Sequence, residues 1–284
     1  MVRNSADEKT AREYLQSRLE EAELWNPRMA VILGSGLGGG SPEIENVLEF
    51  TFDEVPGMPR CNVPGHDGLI RFGSYGVMTA MVQLGRLHYY QGLDMEEVTL
   101  PIRLMAGMGV ERILMINTAG GLNPAYARGN MMLIRDHINL MGANPLRGVC
   151  DAAGNPAFQE LSNLYDQDAE DALMQQSRIS GWPLAEGVLV GVSGPSYETA
   201  AELRFMRLVG GDAVSMSIVP EAIVARFLGV SVTGLSVITN TWDLRMPHAI
   251  SHEEVLKTAE EAAPTMRDII TAWLDRSAGL EDST

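Results

Sequence analysis

Short apolar runs alternate with longer helical patterns along most of this chain, and that alternation restricts the fold more than any other feature. The strand candidates are Met29–Leu33, Val77–Val82, Ile113–Asn117, Met131–Ile134, Val188–Val192 and Val230–Ile238. The helix candidates are Ser5–Trp25, Val98–Met108, Thr199–Val209, Pro220–Phe227 and Ser251–Arg276. Strands that alternate with helices predict an α/β fold with a largely parallel or mixed sheet.

The chain has 284 residues, and no repeat, low-complexity tract or Pro/Ser-rich linker divides it. We therefore predict one domain over residues 1–284, with polar ends at 1–6 and 278–284 that fray. A chain of this length buries roughly 75% of its unfolded surface and needs no disulfide or metal for stability. Cys61 and Cys150 lack the spacing of a metal or redox site, which favours buried thiols in a reducing cytosol.

Acidic residues outnumber basic residues by 37 to 21, and the formal net charge is −16. Such a charge opposes binding to nucleic acid or to an anionic membrane. No signal segment opens the sequence and no apolar run reaches the length of a membrane span, so we expect a cytoplasmic protein. An anionic substrate would require a local group of arginines and backbone N–H donors to overcome the overall repulsion.

The segment Gly34–Gly39 (GSGLGG) follows the first strand directly and contains a GxGxxG pattern. Asp53 stands about 20 residues further on, as in a dinucleotide site, but the intervening segment has room only for a short helix interrupted by Pro42. Glycines let backbone N–H groups approach an anion closely, and the Ser35 hydroxyl adds a donor. The pattern favours phosphate binding, with a dinucleotide site and a structural turn as the alternatives.

A second segment, Gly85–Gly92 (GRLHYYQG), places Arg86 and His88 on the same side of an extended chain, because every second residue points to the same face. The planar guanidinium can donate two hydrogen bonds to a tetrahedral anion, and the imidazole can add another. The alternative is a surface arginine and a structural histidine.

Residues 116–124 (INTAGGLNP) follow an apolar strand, at the position where open α/β sheets bind ligands, although a tight turn explains them equally well. Glu198 precedes a helix that starts with capping-box spacing at Thr199 and Glu202. Its carboxylate either stabilises that helix start or accepts a hydrogen bond from a base N–H group, with Tyr197 as a stacking face.

Three more polar residues stand at the ends of predicted elements. Ser217 lies between a strand and a helix and can donate to an anion, and Asn240 follows the last strong strand. His252 falls in the first turn of the final helix, where the helix dipole favours the neutral imidazole. Taken alone, a histidine at that position is more often a surface residue.

Together these segments resemble one family, the purine nucleoside phosphorylases of trimeric quaternary structure. The motifs that carry the resemblance, in order between residues 29 and 256, are GSGLGG, PGH, GRLHYYQG, NTAGGLNP, IRDHIN, NPLRG, GPSYET, MSIVPE, ITN and HEEV. Each motif is weak by itself, and their common order is what makes the resemblance specific. The resemblance implies a central mixed, partly barrel-like β-sheet flanked by helices.

The resemblance also implies a role for individual residues. The phosphate site would consist of Ser35, His66, Arg86, His88, Thr118 (through its backbone N–H) and Ser217. Ribose would be contacted by Tyr90, Met216 and His252, the last at the 5′-hydroxyl, and by Phe158 of a neighbouring subunit. The purine would be bound by Tyr197, Glu198 and Asn240. The residues implied to be catalytic are Asn240, Glu198, His88 and His252.

The implied reaction is phosphorolysis of inosine, guanosine and their deoxy forms to the free purine and α-ribose 1-phosphate, with inversion through an oxocarbenium-like transition state. It would serve purine salvage in a homotrimer with sites at the subunit interfaces. Inorganic phosphate would be a co-substrate, with no metal and no cofactor. An asparagine at position 240 together with Glu198 goes with 6-oxopurines in this family, whereas an aspartate there goes with adenine or methylthioadenosine.

Two residues depart from the family pattern. Thr118 stands where alanine is usual and Ser215 stands where glycine is usual, and the segment Thr241–Ile250 is shorter than the lid loop of animal relatives. The sequence therefore does not decide which of inosine, guanosine and xanthosine is the preferred nucleoside. Asn240 and His252 disfavour a methylthioadenosine or methylthioinosine phosphorylase. A nucleoside hydrolase would leave the anion-site residues without a purpose, and an NAD-binding oxidoreductase rests on the GxGxxG pattern alone.

Overall fold

The computed structural model describes residues 6–24, 26–61, 67–151, 153–242 and 252–280. The helices are α1 (Ala6–Glu21), α2 (Met95–Val98), α3 (Leu100–Gly107), α4 (Gln167–Ser180), α5 (Ala200–Leu208), α6 (Val219–Phe227) and α7 (His252–Ala278). The strands are β1 (Met29–Leu33), β2 (Glu45–Thr51), β3 (Leu69–Tyr75), β4 (Met78–Leu84), β5 (Arg112–Gly121), β6 (Met131–Asn139), β7 (Leu184–Gly191), β8 (Ala213–Ser215) and β9 (Ser231–Thr241).

The strands form one mixed sheet, part of which closes into a ring. The ring runs in the order β5, β8, β7, β6 and β9, and β9 pairs back onto β5. Beyond β5 the sheet continues outward through β1, β4, β3 and β2. Because β1 is parallel to β4 and β5, and β5 is parallel to β9, the carboxyl ends of these strands lie at one edge. The arrangement confirms the mixed, partly barrel-like sheet flanked by helices.

Two large apolar clusters pack against the sheet, and the strand residues alternate between them. In β1, Ala30 and Ile32 belong to one cluster, while Val31 and Leu33 belong to the other. Helices α1, α3 and α6 contribute to the first cluster, and α4 and α7 contribute to the second. Burial on both faces explains why these strands read as continuous apolar runs in the sequence.

The first helix is shorter than predicted. It ends at Glu21 rather than near Trp25, which lies outside the described residues. Its buried face includes Leu15 and Leu19, and the helical period would add Ala22, but Ala22 is exposed and Leu24 is buried in its place. The difference arises because the chain leaves the helix before residue 22, so the 3.6-residue period no longer fixes which side chains face the core.

Other predicted boundaries shift for local reasons. The predicted helix Val98–Met108 is divided at Thr99, because Pro101 has no N–H to continue the preceding turn and instead fits the start of α3. Strand β4 begins one residue late, since Gly76 and the exposed Val77 form the turn after β3. The sequence pattern does not predict β2, β3 and α4, whose residues are less uniformly apolar.

The two cysteines are half-buried rather than buried, and they are not joined in a disulfide. Among the described residues, no helix has both the length and the apolar composition that a membrane crossing requires. The predicted frayed ends fall largely outside the described residues, although α7 extends to Ala278.

Candidate active site

A cavity of about 500 Å³ lies at the edge where β1, β4, β5 and β9 end. Nine residues for which the sequence predicts a binding or catalytic role line the cavity: Ser35, His88, Tyr90, Thr118, Tyr197, Glu198, Met216, Ser217 and Asn240. A cavity of this volume, with a few converging polar groups, is typical of a small-molecule site.

Arg86 lies behind Ser217 in the cavity wall, and several groups hold its guanidinium in place. Its side chain is 1% exposed. Nη1 donates to the Ser217 hydroxyl at 3.1 Å, and Nη2 donates to the Ile116 carbonyl at 3.0 Å. Burial lowers the pKa of Arg86, and the Glu221 carboxylate, 3.6 Å from Nε, opposes that shift. The guanidinium therefore supplies a buried positive charge at one side of the cavity, despite the acidic character of the whole chain.

Ser217 is presented by the turn between β8 and α6. Its Oγ accepts hydrogen bonds from Arg86 and, at 3.3 Å, from Asn117 Nδ2, while Asn117 Oδ1 accepts from Ser236 at 2.7 Å. Because these donors approach Oγ from within the protein, the Ser217 O–H group can point into the cavity that it lines.

The residue after Ser217 has an uncommon backbone conformation. Ile218 is fully buried and has a φ of 69°. That region costs a β-branched residue on the order of 1–3 kcal/mol, and such strain persists only when surrounding contacts fix it. One of those contacts is the 2.7 Å hydrogen bond from the Ile218 N–H to the Glu221 carboxylate.

The glycine-rich loop after β1 brings Ser35 to the same group. A Cβ on Gly34 would lie 3.2 Å from the Ile116 carbonyl, so the loop can approach β5 this closely because residue 34 is glycine. After the loop, the chain makes a 3-10 turn over Gly38–Gly40 and then forms β2. Residues 34–51, all of them described, thus contain no crossover helix, which excludes the βαβ unit of a dinucleotide site.

His88 and Tyr90 both line the cavity, and their side chains contact each other. Their rings stack with centroids 4.6 Å apart and planes 19° apart. Burial raises the pKa of Tyr90 to about 12, so its phenol remains neutral and can donate a hydrogen bond. Tyr90 and Met216 meet at Gly194, where a Cβ would contact both side chains. These two side chains therefore lie together in the wall of the cavity that Ser217 also lines, and their contact with a sugar stays a prediction.

Asn240 is turned into the cavity by an irregularity in β9. Ala119 pairs with Ile238 and Gly120 pairs with Asn240, so Thr239 is an extra residue in β9. A bulge of this kind re-aims the side chain that follows it. Thr239 Oγ1 donates to Asn240 Oδ1 at 3.2 Å, and a Cβ on Gly120 would lie 3.3 Å from Asn240 Nδ2. The amide therefore lies directly above a glycine, with its Oδ1 beside the Thr239 hydroxyl.

Glu198 is not required to cap the following helix. Thr199 and Glu202 form the predicted capping box, in which the Thr199 N–H donates to Glu202 at 2.7 Å and the Glu202 N–H donates to Thr199 Oγ1 at 3.3 Å. Glu198 instead lines the cavity next to Tyr197. Burial raises the pKa of Glu198 above its ordinary value.

Three predicted residues do not join this group in the described structure. His66 lies outside the described residues. His252 begins α7, and its side chain also lies outside the described part, although Val255 of the same turn lines the cavity. Phe158 is 94% exposed and does not line the cavity of its own chain.

Sequence reasoning missed Ala200, Leu203 and Val214 in the cavity wall, and it named the segments that contain Thr241, Trp242 and Val255 without placing these residues in the cavity wall. Trp242 could have been found from its position two residues after Asn240, directly after the end of β9. Leu203 falls on the apolar stripe of an amphipathic helix, so the sequence pattern does not distinguish it from an ordinary core residue. Glu221 stands in the MSIVPE motif, but its contact with Arg86 joins distant parts of the chain.

Known proteins are similar to this chain in both sequence and fold. Residues 28–275 match the family model described as the phosphorylase superfamily. Purine nucleoside phosphorylase 1 of Bacillus subtilis is 39% identical over 247 residues, which cover 87% of this chain and 91% of that protein.

Two solved structures are similar over nearly the whole chain. A Schistosoma purine nucleoside phosphorylase in complex with hypoxanthine superposes with a TM-score of 0.85 at 30% identity, covering 96% of this chain and 98% of that one. The Schistosoma mansoni purine nucleoside phosphorylase in complex with adenosine superposes with a TM-score of 0.87 at 31% identity, covering 99% of both chains.

Proposed function

The chain belongs to the purine nucleoside phosphorylases, a family of pentosyltransferase enzymes, and we propose that it cleaves 6-oxopurine nucleosides with inorganic phosphate. The nucleosides are inosine, guanosine and their deoxy forms, and the products are the free base and α-ribose 1-phosphate. One observation carries this proposal: the anion-binding group around Ser217 and the base-binding pair Asn240 and Glu198 line the same cavity of about 500 Å³.

Phosphate is bound by the hydroxyls of Ser35 and Ser217, by His88 and by the backbone N–H of Thr118, with the Arg86 guanidinium as the nearby positive charge. Burial of Arg86 supports this assignment, because charge–charge attraction is stronger where water is excluded. The same effect offsets the repulsion expected from a net charge of −16. His66, outside the described residues, completes the phosphate site in this proposal.

Bond cleavage is helped by charge placed on both sides of the sugar. Breaking the bond between C1′ and the purine nitrogen N9 develops positive charge on the ribose and negative charge on the base. A phosphate dianion below the ribose stabilises the positive charge, and one of its oxygens forms the new bond to C1′ while the base leaves from the opposite face. The anomeric configuration is therefore inverted. Tyr90, Met216 and His252 position the ribose.

The leaving purine is stabilised by the amide of Asn240 and the carboxylate of Glu198. Asn240 Nδ2 donates to N7 as negative charge develops on the ring, and Glu198 accepts from the N1–H of a 6-oxopurine. The position of Asn240 in the cavity wall, beside Thr239 and above Gly120, supports this role. Adenine has no N1–H to donate, so the ionised Glu198 disfavours it.

The same site also bears on the need for a cofactor, on the subunit arrangement and on the biological role. Charge is provided by the protein's own groups and by phosphate as co-substrate, so the proposed reaction uses no metal and no cofactor. Phe158 supports a shared site, because its exposed ring is free to cover the ribose of a neighbouring subunit in a homotrimer. Production of free purine base suits a role in purine salvage.

A substrate panel tests the base assignment. Inosine, guanosine, xanthosine, adenosine and methylthioadenosine are each incubated with enzyme and phosphate, and release of base is followed chromatographically. We expect cleavage of the 6-oxopurines at least about 100-fold faster than of adenosine or methylthioadenosine. Faster cleavage of adenosine would contradict the roles of Asn240 and Glu198 and leave the phosphorylase activity standing.

A further inference from the structure

We propose that Glu221 is a positioning residue for phosphate, which fixes both Arg86 and the turn that presents Ser217. The proposal rests on the phosphate site described above. Glu221 does not line the cavity, so it would act through these two neighbours and not by contact with a substrate.

The two oxygens of the Glu221 carboxylate have different partners. Oε1 lies 3.6 Å from Arg86 Nε, and Oε2 accepts from the Ile218 N–H at 2.7 Å. The paired side chains of Arg86 and Glu221 are 1% and 4% exposed. One buried carboxylate thus joins the arginine to the backbone of the turn.

The contact with Arg86 sets the direction of the guanidinium. Nε faces Glu221, Nη2 faces the Ile116 carbonyl, and Nη1 faces Ser217. These three contacts fix the plane of the guanidinium and hold its charge beside Ser217, which lines the cavity. Loss of the Glu221 charge would leave the arginine held by neutral acceptors.

The contact with Ile218 sets the direction of Ser217. Ile218 has a φ of 69°. Its backbone N–H donates a hydrogen bond to the side chain of Glu221, the third residue of α6. Without an acceptor, this N–H would be unsatisfied in a buried position, and the turn could relax to a negative φ. Because Ser217 immediately precedes Ile218, such a change would rotate the Ser217 hydroxyl away from the cavity.

The Glu221→Gln variant separates positioning from a purely structural role. The amide oxygen of glutamine can still accept from the Ile218 N–H, whereas the charge beside Arg86 is removed. We expect the KM for phosphate to rise about tenfold while the KM for inosine changes less than about twofold. Steady-state kinetics with each substrate varied in turn measures both values.

A matched control exists in the pair of Glu8 and Arg103. Their charged atoms lie 3.3 Å apart, the side chains of Arg103 and Glu8 are 5% and 6% exposed, and neither residue lines the cavity. Glu8→Gln makes the same chemical change in another buried ion pair, which joins α1 and α3. We expect it to lower the melting temperature without raising the KM for phosphate.

The outcome is decisive in either direction. An unchanged KM for phosphate in Glu221→Gln, or an equal change in Glu8→Gln, would overturn the positioning role. If Glu221→Gln does not fold, Glu221→Asp decides, since its shorter carboxylate keeps the charge but cannot reach both partners. A selective rise in its phosphate KM would support the proposal, and wild-type values would overturn it.

The proposed function is tested separately from this inference. If the wild-type enzyme requires phosphate and Arg86→Ala raises the phosphate KM, the phosphate site stands whatever Glu221→Gln does. Cleavage of inosine by the wild type without phosphate would instead remove the site on which the inference rests.

Discussion

The half of the cavity proposed to bind phosphate and the half proposed to bind the purine differ in how firmly the protein's own contacts fix them. In the phosphate half, Arg86, Asn117 and Ser217 are all buried and hydrogen bonded to one another or to the backbone. In the purine half, Tyr197 is 50% exposed and Glu198 is half-buried. One half is therefore organised by long-range contacts in the core, and the other opens toward solvent.

The difference follows from what each half is proposed to bind. A phosphate dianion loses strong hydration when it enters a cavity, so its donors must already point at it to compensate. A purine is a planar and largely apolar group that gains from stacking and from burial, which a partly open surface can provide as it closes. The comparison predicts large, phosphate-specific effects in one half and smaller, base-specific effects in the other.

Arg86→Ala should produce the largest effect. It removes the buried charge of the phosphate half and leaves Glu221 buried without that partner, so we expect kcat/KM for phosphate to fall by about 10³-fold and stability to fall by about 3–5 kcal/mol. Steady-state kinetics and urea unfolding measure the two losses. Arg18→Ala, at an exposed position on α1, is the control and should change neither value. Full activity of Arg86→Ala would place the phosphate elsewhere.

Asn240→Asp should produce the next largest effect and should act on the base alone. An aspartate cannot donate to N7 of a 6-oxopurine unless protonated, so kcat/KM for inosine should fall about 10²-fold while activity on adenosine rises. The KM for phosphate should remain close to that of the wild type. An unchanged base preference in this variant would show that Asn240 does not read the purine.

Titration of Glu198 in the purine half should make the reaction rate depend on pH. Because burial raises the pKa of Glu198, the carboxyl becomes protonated at a higher pH than an ordinary glutamate does and then cannot accept from the purine N1–H. The value of kcat/KM for inosine should therefore fall as pH drops through that raised pKa. The same shift means that protonation favours the folded state, so this group stabilises the protein more at low pH.

Glu198→Gln tests the origin of that pH dependence. The variant should be about tenfold less active on inosine near neutral pH and should lack the acidic fall in kcat/KM. If the acidic fall persists unchanged in Glu198→Gln, a group other than Glu198 is responsible.

Trp242→Leu should have the smallest effect. The backbone N–H of Trp242 donates to the Gly121 carbonyl at 3.1 Å, and the substitution keeps that hydrogen bond while removing the aromatic wall. We expect the KM for inosine to rise about threefold, with the KM for phosphate unchanged. A comparable change in the phosphate KM would mean that the two halves are not as separate as the structure indicates.

Much of the fold could be predicted from the sequence because its central strands are buried on both faces. Strands such as β1 and β5 appear as uninterrupted apolar runs whatever they pack against. Strand β2 carries mostly exposed residues and α4 buries only part of one face, so neither has a pattern strong enough to identify it. Closure of the ring depends on pairing between β5 and β9, which no local pattern records.

The candidate site divides in the same way. Ser35, Arg86 and Asn240 stand in short local motifs with recognisable chemistry, and the motif order supplied the rest through family resemblance. The role of Glu221 could not be predicted, because it depends on a long-range ion pair and on the backbone conformation of Ile218. Local patterns thus identify the groups that touch a ligand more readily than the groups that hold them in place.

The most direct test of this account is the cleavage of inosine with and without inorganic phosphate, with the sugar product identified by NMR. We expect hypoxanthine to appear only when phosphate is present, and α-ribose 1-phosphate to be the first sugar product. Release of hypoxanthine together with free ribose in the absence of phosphate would contradict it, because the buried group around Arg86 and Ser217 would then not bind the attacking nucleophile.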